Sequence, residues 1–192
     1  MNFKFDEAAH AYNMENGETW PSVTQILADL GFYGGSEAFF TEKSRIRGIY
    51  VHRIIQYYLT DELDEATIDE TLLPYFSAWK QFAADTGFKP AEIEKPLINE
   101  AYKFAGTPDY IGMLNNSESV IDVKTGALGG VTGVQLAGYE ILAGNPLKRY
   151  ALQLGDTGKY KLTPFTDRAD RKIFIGACVI WHWQRANNIR GN

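Results

Sequence analysis

The sequence is poor in cysteine, and it lacks both a long apolar run and an excess of positive charge. Its single cysteine, Cys178, excludes an internal disulfide, an iron–sulfur cluster and a zinc–cysteine site. No run of about eighteen apolar residues occurs, which predicts that no segment spans a membrane. Residues 1–6 lack the apolar core of a signal peptide, so a cytoplasmic location is expected.

The charge balance is acidic, with a formal net charge of -5 over 192 residues. Proteins that coat nucleic acid non-specifically are usually basic, so that class is disfavoured. An enzyme acting on nucleic acid is still allowed, because a carboxylate site holding divalent metal creates its own local positive charge. The proportions of 45% hydrophobic and 22% charged residues are ordinary for a globular protein, and the length suits a single domain over 1–192.

Helical spacing and end signals predict five helices. Ser22 can cap the first, with Gln25 three residues later, and Gly87 and Gly144 can end two others. In the second helix, apolar residues from Phe39 to Tyr57 recur at helical spacing. The predicted helices cover about residues 22–31, 36–59, 72–86, 134–143 and 166–186.

Between the helices, the apolar pattern changes to that of strands. Short strands around turns are predicted in 3–20, a three-stranded meander over 91–98, 102–114 and 119–124, and a hairpin over 149–154 and 160–165. This order of elements predicts an α/β fold, in which a central mixed β-sheet is flanked by helices.

Two acidic residues lie on neighbouring strands of the predicted meander. Asp109 and Asp122 are joined through a turn, so their carboxylates can approach each other, and a divalent cation such as Mg²⁺ would relieve their repulsion. Lys124 follows Asp122 by two residues and therefore shares its face of the strand, whereas Val123 faces the other way. A lysine at this position can orient a water or stabilise charge on a phosphate.

An Asp-x-Lys triplet alone is more often the solvated face of an edge strand. Here apolar residues flank Asp122, and the next helix presents Gln135 and Tyr139 on one face. In the second helix, His52 shares a face with Arg45 and Gly48. His52 could serve as a ligand or as a packing contact, and the central glycine would be explained by close approach of metal, substrate or another backbone.

Several other residues have two interpretations at this stage. Arg45, like its neighbours Arg47 and Arg53, could bind phosphate or belong to a solvated helix face. Ser22 and Thr24 could contact a phosphate, or they could cap a helix, or do both. A set of aromatic side chains could stack on unpaired bases, although packing in the core is the commoner role. These aromatics are Trp20, Phe32, Tyr33, Phe39 and Phe40.

Taken together, these motifs resemble the RecB-like branch of the PD-(D/E)XK nuclease superfamily. The resemblance is carried by Gly-Thr-Pro-Asp at 106–109, Asp-Val-Lys-Thr-Gly at 122–126 and Gln-x-x-x-Tyr at 135–139. The helical motif Gly-x-x-x-His at 48–52 is also similar. Near the start, His-Ala-Tyr at 10–12 and Pro-Ser-Val-Thr-Gln-Ile-Leu at 21–27 resemble phage-type and mitochondrial-type single-strand DNA exonucleases of that branch.

The resemblance implies a role for each matching residue. His52, Asp109, Asp122 and the backbone carbonyl of Val123 would hold Mg²⁺ or Mn²⁺, and Lys124 would be the catalytic lysine beside the two aspartates. The side chains that would support the site or contact DNA are Gln135, Tyr139, Arg45, Ser22 and Thr24. Glu94 matches an acidic position found in some members and is a second-tier candidate. Relatives with a four-cysteine iron–sulfur cluster are a poor match, because this chain has one cysteine.

The implied function is metal-dependent hydrolysis of DNA phosphodiester bonds. The resemblance favours an exonuclease acting on single strands or DNA ends in recombination, repair or phage DNA processing, in a bacterium or a phage-infected host cell. A recombination or replication protein is a further candidate partner. Two alternatives stay open: a structure-specific endonuclease on the same scaffold, and a non-catalytic module that binds DNA or a recombination protein.

Overall fold

A computed structural model describes residues 2–34 and 41–189. The predicted helical residues 36–40, with the aromatics Phe39 and Phe40, lie outside this range. Within it, the helices are α1 (Val23–Asp29), α2 (Glu42–Leu59), α3 (Leu73–Thr86), α4 (Thr132–Ala143) and α5 (Ala169–Ala186). None of these described helices is both long and apolar enough to cross a membrane.

Ten strands lie in the described residues and form three sheets. The strands are β1 (Phe3–Asp6), β2 (Ala11–Met14), β3 (Thr19–Trp20), β4 (Lys89–Ile93), β5 (Leu97–Asn99), β6 (Phe104–Gly106), β7 (Tyr110–Leu114), β8 (Ser117–Lys124), β9 (Lys148–Leu154) and β10 (Tyr160–Phe165). The central sheet has the order β10-β9-β8-β7-β4, while β1-β2-β3 and β5-β6 form two small sheets. In the central sheet only β8 and β9 run parallel, with α4 connecting them, so the sheet is mixed as expected.

Helices cover both faces of the central sheet. On one face, α1, α4 and α5 bury an apolar layer that includes Val23, Leu136 and Phe174 against β8 and β9. On the other, α2 and α3 bury a second layer around Ile55 and Trp79. Because β8 is covered on both faces, its side chains are buried almost continuously from Val120 to Val123, as expected for a central strand.

The predicted three-stranded meander is wrong. The segment 91–98 divides into β4 and β5, and 102–114 divides into β6 and β7. β4 pairs with β7 and β5 pairs with β6, so the chain leaves the central sheet and returns to it. Glu94, with φ 43°, ends the first ladder, and Pro108, which has no N–H to donate, lies between β6 and β7.

The helix ends follow the expected chemistry. Ser22 caps α1, because its hydroxyl accepts a hydrogen bond from the backbone N–H of Gln25. Thr41 does the same for α2 through the N–H of Ser44, so α2 begins at Glu42 and not near residue 36 as predicted. Gly87 and Gly144 end α3 and α4 in the left-handed region, at φ 63° and 77°.

Candidate active site

A tight hairpin brings Asp109 to the middle of β8. β7 and β8 are joined through Asn115 and Asn116, both at positive φ, and their register pairs Tyr110 with Ile121. Asp109, one residue before this pair, thus lies opposite Asp122. The Oδ2 atom of Asp109 accepts a hydrogen bond of 2.6 Å from the N–H of Val123, so the two acidic positions meet as the sequence predicts.

The segment before Asp109 is closely packed, so a side chain at Gly106 would force its neighbours to move. A Cβ there would lie 2.8 Å from Leu142 Cδ1 and 3.3 Å from Tyr139 Cε1. Next to it, Thr107 forms a 2.7 Å hydrogen bond with the hydroxyl of Tyr12. The Gly-Thr-Pro-Asp motif therefore holds Asp109 through contacts with α4 and with β2.

The alternation of β8 places Asp122 and Lys124 together. Asp122 is 2% exposed, and its Oδ2 atom lies 2.7 Å from Lys124 Nζ. Ile121 and Val123 point to the opposite layer, against α2 and α3. The sequence prediction of one polar face shared by Asp122 and Lys124 therefore agrees with the structure.

Helix α4 supplies a supporting amide and hydroxyl. Gln135 Nε2 donates to Asp122 Oδ1 at 3.3 Å and to the Tyr139 hydroxyl at 3.2 Å. Gln135 Oε1 lies 3.5 Å from Lys124 Nζ. Gln135 and Tyr139 are 5% and 6% exposed, so they hold the aspartate and the lysine from below rather than offering a free surface to a ligand.

Helix α2 brings His52 from the other side of β8. Its Nε2 atom lies 3.2 Å from the carbonyl oxygen of Val123. Its Nδ1 atom lies 3.6 Å from Asp109 Oδ1 and 3.8 Å from Glu94 Oε1. Glu94, a second-tier candidate from sequence, therefore lies at the same histidine, because its N–H donates to the carbonyl of Asp109.

The electrostatics of this cluster follow from burial and close charges. Burial is the largest influence on Asp109 and, with Asp122, raises its pKa to about 6 against the opposing effect of His52. Burial disfavours the charged form of His52, but Asp109 and then Glu94 outweigh it and raise the pKa to about 9. Burial is likewise outweighed at Lys124, whose pKa is raised chiefly by Asp122. At neutral pH, His52 and Lys124 therefore both carry a positive charge beside the two aspartates.

The donor types of the cluster fit a divalent cation. Asp122 Oδ2 is buried and accepts no hydrogen bond of good geometry from the described residues, although Lys124 Nζ lies nearby. Carboxylate and carbonyl oxygens are ligands that Mg²⁺ and Mn²⁺ prefer. Across 2–34 and 41–189, no three His, Cys, Asp or Glu side chains are already spaced as a metal cage. A bound cation would therefore replace His52 and Lys124 as the main counter-charge.

Three candidate residues have other contacts. Arg45 is exposed and pairs with Glu42 at 2.7 Å on the surface of α2. Ser22 is buried, caps α1 and lies 3.1 Å from the hydroxyl of Thr24. Among the described residues, none of the three forms a hydrogen bond or ion pair with Asp109, Asp122 or Lys124.

Tyr33 is a site neighbour whose position the sequence pattern did not reveal. Burial raises the pKa of its hydroxyl, and the charges of Lys124 and Asp122 act on it in opposite directions. It lies in the turn after α1, where no periodicity operates, and the sequence placed it only among aromatics for stacking or packing. Its approach to the cluster is set by the packing of α1 against α4, which only the folded chain provides.

Comparisons with known proteins concern the fold. No family model matches this sequence, and no curated protein matches it. An alkaline exonuclease from Laribacter hongkongensis has a similar structure, with a TM-score of 0.50 and 14% identity over 88% of each chain. A candidate exonuclease from Eubacterium rectale gives 0.55 and 11%, over 90% of this chain and 83% of that chain. At such identities the likeness shows the fold, a mixed sheet flanked by helices.

Proposed function

We propose that the protein is a metal-dependent nuclease that hydrolyses DNA phosphodiester bonds. The observation that carries the proposal is the buried cluster in which Asp109, Asp122 and Lys124 meet at the end of two central strands. Lys124 pairs with Asp122 and His52 lies beside Asp109, so both aspartates of the cluster have a counter-charge. Burial and close charges raise the pKa of Asp109 to about 6, and groups with such shifted pKa values cluster at functional sites.

In this proposal, His52, Asp109, Asp122 and the carbonyl of Val123 hold one or two Mg²⁺ or Mn²⁺ ions. Glu94 is close enough to His52 to join them, at 3.8 Å. When bound, the cation polarises the scissile phosphate and lowers the pKa of a water molecule. Val123 N–H fixes the orientation of Asp109 through its 2.6 Å hydrogen bond, so this carboxylate is held in place before any ligand arrives.

Lys124 aligns the attacking water or stabilises the charge that develops on the phosphate. Its ammonium group is fixed from two sides, by Asp122 at 2.7 Å and by Gln135 at 3.5 Å. Preorganised charge of this kind stabilises a transition state without reorganisation during the reaction. Tyr139 contributes indirectly, because it holds Gln135 in place.

The finer assignment rests on the sequence resemblance. The motifs resemble those of the RecB-like branch of the PD-(D/E)XK nucleases, which favours an exonuclease on single strands or DNA ends. Two proteins of similar fold are described as exonucleases, which supports the same choice. Recombination, repair or phage DNA processing is the setting that we propose, with a recombination or replication protein as a partner.

Cleavage of labelled linear and circular single-stranded DNA, with Mn²⁺, Mg²⁺ or EDTA, tests the proposal. We expect degradation of linear DNA that requires metal, with circles left intact. Cutting of circles would indicate an endonuclease instead. Absence of cleavage with either metal would overturn the proposal and favour the non-catalytic alternative.

A second experiment tests the role of Lys124 with a pair of lysine variants. Lys124→Ala should lower the cleavage rate by at least about a hundredfold, the usual scale for a group that stabilises transition-state charge. Lys172→Ala, at an exposed position of α5, is the matched control and should cut like the unmodified protein. Equal rates for the two variants would contradict the assignment of Lys124 even if the protein is a nuclease.

A further inference from the structure

A cavity of about 420 Å³ opens beside the catalytic cluster, on the far side of Thr125. Its wall includes Thr125 and Gln153, and basic side chains come from α2, from the start of β10 and from the residue before it. Pockets of roughly 300–1,000 Å³ are the usual size for small-molecule or nucleotide sites. The wall of this cavity does not include His52, Asp109, Asp122 or Lys124.

The topology fixes the cavity at the active-site edge of the sheet. β8 and β9 are parallel, and their register pairs Lys124 with Gln153, so both strands end at this edge. The chain after Lys124 is held as the wall by two side chains. Arg47 Nη2 donates to the carbonyl of Thr125 at 2.9 Å, and Gln153 Nε2 donates to that of Gly126 at 3.1 Å.

The charges around the cavity are mostly positive and unpaired. Arg47, Lys159 and Lys161 line it, and Asp156 is the one carboxylate among the lining residues of the described chain. None of the three cations forms an ion pair within the described residues. Several other lysines do form one with a glutamate: Lys80, Lys95 and Lys103. In a chain with a net charge of -5, such a local excess of unpaired cations favours an anionic ligand.

Arg47, the arginine in the wall of the cavity, is held in a fixed position. Its guanidinium lies over the ring of Tyr75, 5.4 Å from the centroid, and is also held by Thr125, so its position is fixed. Its Nε atom is buried and has no hydrogen-bond partner among the described residues. That atom has no accessible surface for a ligand, so a bound anion would meet the other N–H groups of the guanidinium.

We infer that this cavity binds a phosphate group of the DNA backbone next to the cleavage centre. The inference rests on the proposed nuclease function and deepens it, because it names the residues that position the strand. The recognised chemistry is a phosphate oxyanion, held by Arg47, Lys159 and Lys161. Two lysines that were merely solvated would not need a concave wall or an arginine in a fixed position. This cavity has both features.

The test removes the two flexible charges and leaves Arg47, which supports the wall, in place. Lys159→Gln/Lys161→Gln is compared with Lys148→Gln, at the opposite end of β9. Binding of a fluorescent single-stranded oligonucleotide is measured with Ca²⁺ over a range of salt concentrations. Loss of one phosphate contact should weaken binding about fivefold at about 0.1 M salt and reduce the log–log salt slope by about 0.7. The control should keep the affinity and slope of the unmodified protein.

Inorganic phosphate distinguishes a free ion from the DNA backbone as the source. It should compete with the oligonucleotide on the unmodified protein more strongly than on the double variant. Equal competition on both, or an unchanged affinity and salt slope in the double variant, would overturn the inference. If the unmodified protein cuts DNA while the double variant binds like it, the cavity assignment fails alone. If the unmodified protein neither binds nor cuts DNA, the proposed function fails.

Discussion

At Gly48, a role in packing can be distinguished from a role in function. It lies in α2 one turn before His52, and the nearest atom to a Cβ built there is Thr125 Oγ1 at 3.8 Å, an ordinary contact. No backbone of the described chain packs against it. The close approach of another backbone therefore does not explain this glycine, and in the proposed function metal or substrate would approach here.

Gly48→Ala should accordingly stabilise the fold and lower the rate of the proposed DNA cleavage. The unfolding free energy should rise by about 0.8–1 kcal/mol, because alanine favours the helix and meets no obstacle. DNA cleavage should fall, since the added methyl group occupies space beside His52. Urea unfolding and initial cleavage rates measure the two effects. A more stable protein with unchanged cleavage would mean that neither metal nor substrate uses this space.

The buried thiol of Cys178 should make the stability of the fold depend on pH. Burial raises the pKa of its thiol from 9.0 to about 11, and Sγ lies 3.2 Å from the carbonyl of Tyr102. Since the folded state keeps the proton longer than the unfolded state, its contribution to stability is present below pH 9 and is lost between pH 9 and 11.

A thiol reagent at pH 8 should therefore label Cys178 slowly in the native protein and rapidly in urea. Cys178→Ala should weaken the loss of stability between pH 9 and 11, which is measured by urea unfolding at each pH. Rapid labelling of the native protein would show that this thiol is not protected by burial.

At the scale of elements, two glycines within helices can be compared, because one is closely packed and the other is not. A Cβ at Gly138 in α4 would lie 2.8 Å from Val23 Cγ1 and 2.9 Å from Phe174 Cε2. At Gly176 in α5, such a Cβ would meet no atom of the described residues within 4 Å outside the local helix backbone. The first glycine allows α4 to approach α1 and α5 closely, whereas the second has no such role.

Gly138→Ala should destabilise the fold by about 1–3 kcal/mol, because the surrounding side chains must move. Gly176→Ala should stabilise it by about 0.8–1 kcal/mol through helix propensity. Denaturant midpoints of the two variants, measured side by side, provide the comparison. A shift of the same sign in both would contradict the packing of α4 between α1 and α5.

The elements that the sequence predicts well are those with strong local signals. The described parts of the helices follow from apolar spacing and capping residues such as Ser22, and β8 follows from its apolar residues. The split of the predicted meander could not be read in this way, because both halves of each segment have strand-like patterns. It depends on the left-handed backbone of Glu94 and the proline at 108, whose effects on pairing are not periodic.

The candidate site likewise contains some contacts that the sequence predicts and others that it does not. The approach of Asp109, Asp122 and Lys124 follows from strand period and one short hairpin, so the sequence predicts it. The contacts of Tyr33 and Arg47 arise where separate elements pack together, and no local pattern encodes them. The same reason explains why Arg45 pairs with Glu42 on the surface, although it shares a predicted helix face with His52.

For the whole molecule, the acidic charge bears on how the proposed nuclease would approach DNA. With a net charge of -5, the chain as a whole repels a polyanion, so attraction has to be local. A cation bound at Asp109 and Asp122 would change the sign of the potential at the site of cleavage. Stability and metal binding should therefore be coupled.

Mn²⁺ should raise the melting temperature of the unmodified protein. At a hundred times the dissociation constant, the expected gain is about 2.7 kcal/mol, or roughly 5–10 °C for a chain of this size. Asp122→Asn keeps the shape of the side chain but removes its charge, and should show little of this gain relative to the same variant in EDTA. An equal rise in both proteins would place the stabilising ion elsewhere.

The parallel pairing of β8 with β9 has a consequence for the order of events during synthesis. β8 carries Asp122 and Lys124, yet one of its edges stays unpaired until α4 and residues 148–154 have followed it. Domains generally fold as units once their chain has emerged, so the ribosome-bound protein should pass most of its elongation without a formed cleavage centre. The nuclease that we propose would in this way have no cleavage activity until its synthesis is nearly complete.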